Sequence, residues 1–373
     1  MTLLHPAPAE AGGAKRPTGS RAWLLLPAAV ALLAGLDAGL ILLGVPAPVS
    51  ARRLPDVHGM VMALGFVGTV VCLERAIALG ERRALAAPAL LGVGSLLLVT
   101  PLPLVVGRTA LVAGMAAMTS IYVPLWRRQR DDAVLVQAHG AVLGTGAALM
   151  WLGGTPMATL LPWLAAFLVL TIAGERLELA RLAMGPGAGP TLVLLSGLLT
   201  CGVVAALLWP SAGHPLLGLT LLVLTGWLAV HDVAWRTIRS TGLPRYTAAG
   251  MLGGYLWLLV AGAVWLVSGS SYGGPAYDAV IHAVFLGFTI SMIMAHAPVI
   301  LPAVLRRPLP YHPLMWAPLA LLHVSLLLRL WIGDALGQQQ CWQLGGVLNE
   351  AALLSFAGLV VWSLARARRT GVR

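Results

Sequence analysis

The sequence predicts an all-α polytopic membrane protein of twelve transmembrane helices, and three observations predict it. The 373-residue chain is 59% hydrophobic and 10% charged, against about 45–50% and about 25% in soluble domains, with a mean hydropathy of +0.87. Apolar runs of roughly 20 residues, the length that crosses a hydrocarbon core, recur twelve times. Twenty of the 24 Lys and Arg residues fall on one side of the topology those runs define, as the positive-inside rule requires. A soluble fold of this length would have too few polar side chains to cover its surface, and the apolar area excludes disorder. The net charge of +11 reflects membrane topology and not nucleic-acid binding. Cys72, Cys201 and Cys341 have neither the spacing of a disulfide framework nor that of a thiolate metal site.

Residues 1–20, rich in Ala, Pro, Gly and basic side chains, read as a short disordered cytoplasmic arm. Residues 21–365 form the transmembrane domain and 366–373 a basic cytoplasmic tail. The predicted spans are 21–45, 55–79, 84–101, 104–125, 133–153, 156–175, 190–209, 215–235, 246–268, 276–300, 311–332 and 341–364. The first lacks a small-residue cleavage site and is read as a retained helix, not a signal peptide. With both termini inside, the arm, the even-to-odd loops and the tail hold all the basic residues except Arg52, Arg53, Arg108 and Arg329.

An internal repeat accompanies this count, because helical membrane folds are often built from repeats. The second helix reads GFVGTVVCLER, the sixth AFLVLTIAGER and the tenth GFTISMIMAHA. Phe66, Phe167 and Phe288 each stand eight residues before Glu74, Glu175 and His296. Tyr122 and His231, at the ends of the fourth and eighth helices, each precede a Trp by four. Three successive four-helix units are the expectation.

Ionisable groups inside lipid mark function by default, since they are expensive unless paired or facing a cavity. His58 lies one turn into helix 2 from the outer face, His282 two turns into helix 10, and His323 near the middle of helix 11, with Asp37, Glu350 and Arg329 nearby in depth. His139, His231 and His296 occupy the inner half, as do Glu74, Glu175 and Glu178. His282 and His296 are 14 residues apart, which on a regular helix is about 21 Å of rise and roughly 40° from one face, so one helix presents imidazoles to two stacked sites. Facing neutral imidazoles suit haem iron, whose macrocycle needs an apolar slot. Gly59, Gly65 and Gly68 after His58, and Ala283 and Gly287 after His282, would leave that slot open. The alternative is that each His makes a helix–helix hydrogen bond. Glu175 and Glu178, with Glu74, either relay protons or hold a metal, or pair with Arg75, Arg176 and Arg181. Nucleotide-binding loops and HExxH are absent, which excludes the enzyme classes those motifs serve.

The pattern of twelve helices with a His near the outer end of the second and another on the tenth resembles the catalytic subunit of haem–copper oxidases and nitric-oxide reductases. It is more closely similar to the NnrS family of haem- and copper-containing membrane proteins linked to nitric-oxide stress. DVHGMVMALGFVGT (56–69), TIAGER (171–176) and HAVFLGFTISMIMAHAPVILP (282–302) carry the likeness. By depth and charge, His323 and Arg329 are further candidate cofactor-binding residues, and a second metal site must use His323 or the inner histidines His139, His231 and His296, beside His58 and His282; the family pattern does not assign them. The resemblance implies haem ligation by His58 and His282, with copper as a second metal. It implies a bacterial-type inner membrane and an electron donor or respiratory partner. The oxidases' copper-ligating histidines on helices 6 and 7 have no counterpart here, so an oxygen-reducing centre is not expected. A proton-coupled transporter using the buried His, Glu and Asp residues, and an accessory subunit of a respiratory complex, are the competing functions.

Overall fold

The computed structural model describes residues 21–369; the predicted arm (1–20) and the last four residues of the predicted tail lie outside the described residues. Among the described residues there is no strand, and the protein is a multi-pass helical membrane protein. Among these residues eleven helices are long and apolar enough to cross a bilayer: α1 (Trp23–Leu43), α2 (Leu54–Leu79), α4 (Leu104–Gln129), α5 (Asp132–Leu152), α6 (Met157–Arg181), α7 (Ala188–Leu208), α8 (Pro210–His231), α9 (Gly242–Ser268), α10 (Gly274–Leu305), α11 (Pro313–Ala335) and α12 (Gln339–Ala367). Between α2 and α4 lies a shorter helix, α3 (Ala86–Leu98), entered through a 3₁₀ turn, Arg82–Leu85. It stops short of the predicted 84–101 because Pro101 and Pro103 occupy the connection, and proline cannot continue a helix interior.

Hydrogen bonds between helix ends show that α3 nonetheless carries the chain across. Arg53, at the start of α2, donates through Nη1 to the carbonyls of Thr100 and Leu102, at the start of α4. Arg128, at the end of α4, donates through Nη2 to Leu79 O, at the end of α2 (3.2 Å). The two helices therefore run parallel, and only a crossing by the intervening segment connects them. The 3₁₀ turn and α3 together rise about 27 Å, close to a hydrocarbon thickness. Gly44 (φ 71°) and Gly80 (φ 80°) terminate α1 and α2 in the left-handed region, where glycine carries no Cβ penalty.

The repeat seen in sequence has a spatial meaning. In α2, α6 and α10 the most apolar stretch is 67, 78 and 67% buried, against 28–56% in the other eight long helices. The second helix of each four-helix unit thus lies at the centre of the bundle. Two of the three share a further feature: π-helical segments run over Val61–Gly68 in α2 and Ala283–Ile290 in α10. The segments are 222 residues apart, the same offset that aligns Phe66 with Phe288 and Glu74 with His296. α6 has no such segment. A third π segment, Leu327–Ala335, ends α11.

Arg75 and Arg176, counted in sequence with the loop charges, are buried within α2 and α6. Their charges are matched inside the protein. His214, read as a loop residue, is buried at the start of α8, its Nδ1 3.0 Å from Pro210 O.

Candidate functional site

Two cavities lie one above the other among α1, α2, α6, α10 and α12. The first, about 430 Å³, is lined by His58, His282, Asp278, Arg329 and Glu350 among apolar walls from Leu36, Met62, Leu161 and Phe285. The second, about 280 Å³, begins one turn further along α2 and α10 and carries Glu74, Glu175 and His296. Leu353 of α12 borders both.

Each imidazole of the first cavity is held by its Nδ1. In α2, His58 Nδ1 lies 2.9 Å from Gly35 O of α1. In α10, His282 Nδ1 lies 2.9 Å from Asp278 O, one turn earlier, and 3.2 Å from Asp278 Oδ1. A carbonyl only accepts, so each Nδ1 carries the proton and donates it, leaving the Nε2 lone pair exposed. No hydrogen bond engages Nε2 of either ring among the described residues. Asp278 also receives both Nε and Nη2 of Arg329, each at 2.8 Å, and the guanidinium lies 5.1 Å over the Trp342 ring. One carboxylate therefore steadies the imidazole and anchors the cation on the wall. Sequence reasoning missed Asp278; its position one turn before His282 was the available signal.

The cavity is opened by different glycines from those expected. Only Gly59 of the predicted set faces it; Gly65 packs on Ser95 and Ala31, and Gly287 on Trp257. Gly39 of α1 sits where a Cβ would stand 2.7 Å from Glu350 Oε1 and 3.8 Å from His58 Cε1. Gly346 of α12 would meet Arg329 Nη1 at 3.0 Å.

The structure separates the other predicted ligands from this pair. His323 faces α9: its Nδ1 accepts from Trp257 Nε1 (2.9 Å), and its Nε2, which then bears the proton, points to Ser291 Oγ at 3.5 Å. Both nitrogens are committed to helix contacts outside the cavity. His139 pairs with Ser196 Oγ (2.9 Å). His231 bonds its own helix at Trp227 O (2.9 Å) and stacks on the Trp227 ring. His296 donates through Nδ1 to Met292 O (2.8 Å), while its Nε2 accepts from Arg176 Nη1 (3.0 Å). A lone pair already held by a guanidinium is not offered to a metal. Among the described residues no three His, Cys, Asp or Glu side chains group as metal ligands, so His139, His231 and His296 do not assemble the donor set expected for copper.

His296 instead ends a buried chain of polar contacts. Arg176 makes a bidentate pair with Asp232 (Nε–Oδ2 2.9 Å, Nη2–Oδ1 3.1 Å), which also accepts from Tyr255 Oη (2.7 Å) and from Ala234 N (3.0 Å). Asp232 was overlooked because it follows α8 in a segment read as span end. The acidic residues find the other partner proposed for them: Arg75 reaches Glu74 at 2.5 Å and Glu178 at 3.0 Å, with Glu175 at 3.8 Å. Arg181 pairs with Asp131.

Comparison with known proteins adds a family. No curated protein and no solved structure matches the chain. Residues 21–365 match the family model described as a domain of unknown function (DUF8744), and the chain belongs to that family.

Proposed function

We propose that the first cavity holds a haem between His58 and His282, in a membrane protein of NnrS-like type acting in redox or nitric-oxide-related chemistry. One observation carries the reading: two imidazoles from helices far apart in sequence line one cavity, each with Nδ1 tied to a carbonyl and Nε2 unengaged. That tautomer is what haem iron requires of an axial histidine, and a carbonyl or carboxylate behind the ring is its usual support. The volume of 430 Å³ lies within the range of cofactor pockets, about 300–1,000 Å³. The haem would supply electron transfer with both rings bound, or a site for a diatomic gas with one.

The protein's own part is to orient and to shield. Gly35 O and Asp278 fix the two ring planes. Arg329, partly neutralised by Asp278, leaves Nη1 beside Gly346 as a donor for an acidic substituent at the cavity wall. Glu350 stands at the same wall against Gly39. The donor set does not fit copper, so no step is assigned to that metal.

With the buried Arg75, Arg176 and Arg329 set aside, the remaining eighteen-to-three charge split supports placing both termini in the cytoplasm and the protein in a bacterial-type inner membrane. Both described ends of the bundle agree with an even number of passes, since Leu25 of the N-terminal segment and Val361 of α12 border the same cavity. The decisive experiment is the visible spectrum of detergent-purified protein. A Soret band that shifts on dithionite reduction is expected, altered by His58→Ala and by His282→Ala and unchanged by His214→Ala. A reduced spectrum without Soret or α bands, from protein expressed with ample haem, removes the reading.

A further inference from the structure

Away from the two central cavities, α3 and α4 diverge and leave a cleft on the outer surface of the bundle. Their other halves are in close contact: a Cβ at Gly107 would stand 2.7 Å from Leu98 Cδ2, and one at Gly114 2.8 Å from Leu91 Cγ. Toward the end where α4 stops at Gln129, the facing residues include Ala84, Ala87, Ala117 and Pro124, side chains too short to fill the gap. The cleft they leave is about 320 Å³. It opens outward, since Arg83 and Ser120 on its walls are exposed. Trp126, also exposed and one residue before Arg127, sets this end of α4 at the depth of the lipid headgroups.

The mouth of this cleft is cationic. The chain leaves α2 through Gly80 and turns back at once into the 3₁₀ turn, which brings Arg82 and Arg83 to the end of the bundle where Arg127, Arg128 and Arg130 are exposed. Arg128 reaches the mouth itself, its Nη2 donating to the carbonyl of Leu79, a residue of the cleft wall. Glu81, the acid on that wall, is already held by Arg83 Nε at 2.6 Å. Asp131, just beyond α4, is taken by Arg181. Arg82, Arg127 and Arg130 have no ion pair among the described residues. We infer that the cleft binds an anionic phospholipid of the surrounding bilayer, its phosphate against Arg83 and Arg128 and the start of one acyl chain over Ala87, Ala117 and Ile121. Guanidinium–phosphate hydrogen bonds are charge-assisted, and basic pockets between membrane helices bind such heads. A free phosphate would use the cations and leave the apolar floor uncovered. A zwitterionic lipid would bring its own cation to a mouth where five arginines gather. The inference does not require haem in the first cavity.

The test is native mass spectrometry of the delipidated full-length protein in detergent, titrated with dioctanoyl phosphatidylglycerol, dioctanoyl phosphatidylcholine or glycerol 3-phosphate. One equivalent of phosphatidylglycerol is expected to bind about tenfold more tightly than phosphatidylcholine, the scale of one or two cations near an anionic head. Arg83→Gln/Arg128→Gln is expected to lose that preference, and Ala117→Trp, which fills the apolar floor, to lose the bound equivalent. Arg239→Gln/Arg245→Gln, exposed around the start of α9 at the same end of the bundle, should bind as wild type does. Should Ala117→Trp not fold, the two arginine pairs, all exposed side chains, decide. Equal binding of the two lipids overturns the inference, as does glycerol 3-phosphate binding as tightly as the anionic lipid. So does an equal loss in the two arginine pairs, which would mean a diffuse field and no site. Because the readout is lipid mass and not absorption by iron, failure here leaves the haem reading standing, and the reverse holds too.

Discussion

The Arg176–Asp232 pair permits a quantitative test of how this bundle is held together. The Asp232 side chain is 0% exposed and that of Arg176 6%. One carboxylate accepts four hydrogen bonds, two from the guanidinium, one from Tyr255 and one from the Ala234 amide. Neutral interhelical hydrogen bonds in membrane proteins average only about 0.6 kcal/mol by double-mutant cycle. Removing one member of a buried ion pair costs about 3–5 kcal/mol, because the remaining charge stays buried and uncompensated. Asp232→Ala is therefore expected to lose about 3–5 kcal/mol in equilibrium unfolding in mixed micelles. Asp232→Asn, which keeps the shape but not the charge, should lose most of the same amount. The double variant Arg176→Met/Asp232→Leu, with no charge left to bury, is expected to recover most of the loss. If Asp232→Ala costs under about 1 kcal/mol, or the double variant falls as far as the sum of its singles, the charge is not what the pair contributes.

Two other perturbations separate packing from topology. Gly218→Ala should destabilise by about 1–3 kcal/mol, because its Cβ would come within 2.5 Å of Gly262 O on α9. Gly226→Ala on the same helix, with nothing within 4 Å of a new Cβ, should be neutral or gain up to about 1 kcal/mol; the same unfolding measurement ranks them. Single cysteines placed at Glu81 and Leu102, in a background lacking the native three, should react with an impermeant maleimide from opposite sides of sealed vesicles. Labelling from one side would mean that α3 does not cross.

Much of the fold was legible because bilayer physics writes it into composition. Eleven of the predicted spans meet long helices that differ mainly at their ends, and the Phe–Glu/His repeat marked the three helices that prove most buried. His58 and His282, which line one cavity, could be singled out in sequence, since a histidine one or two turns into an apolar run stands out. Partner choice was less legible. Arg176 was expected to bind the neighbouring glutamates, yet it turns to Asp232, 56 residues away, because the azimuth of α6 and not sequence distance decides which helix a side chain meets. His323 and His296 likewise look like ligands until Trp257 and Arg176 are seen to occupy their nitrogens. Apart from Gly59, the glycines of the first cavity come from α1 and α12, elements with no histidine to draw attention to them.

The π segments account for the part of the site that regular periodicity gets wrong. His58 and Glu74 are 16 residues apart, which on an unbroken α-helix is about 160° of rotation, so they would face opposite sides. A π segment winds roughly one extra residue into the helix, removing about 100°. The two then lie about 60° apart, and α2 lines both cavities with them, as observed. In α10 the same device has the opposite effect. His282 and His296, about 40° apart on a regular helix, diverge by about 140° once the extra residue is wound in. That divergence lets His282 face the first cavity while His296 turns its Nε2 to Arg176. Deleting Ala63, inside the π segment of α2, is expected to restore α-helical winding and swing His58 about 100° away from Gly35 O. The His58-dependent part of the absorption spectrum should disappear in a protein that still inserts and purifies. Deleting Gly154, in the turn after α5 with open space around it, should leave the spectrum intact. A spectrum that survives loss of Ala63 but not the His58→Ala substitution would show that the π winding does not set the direction of the imidazole.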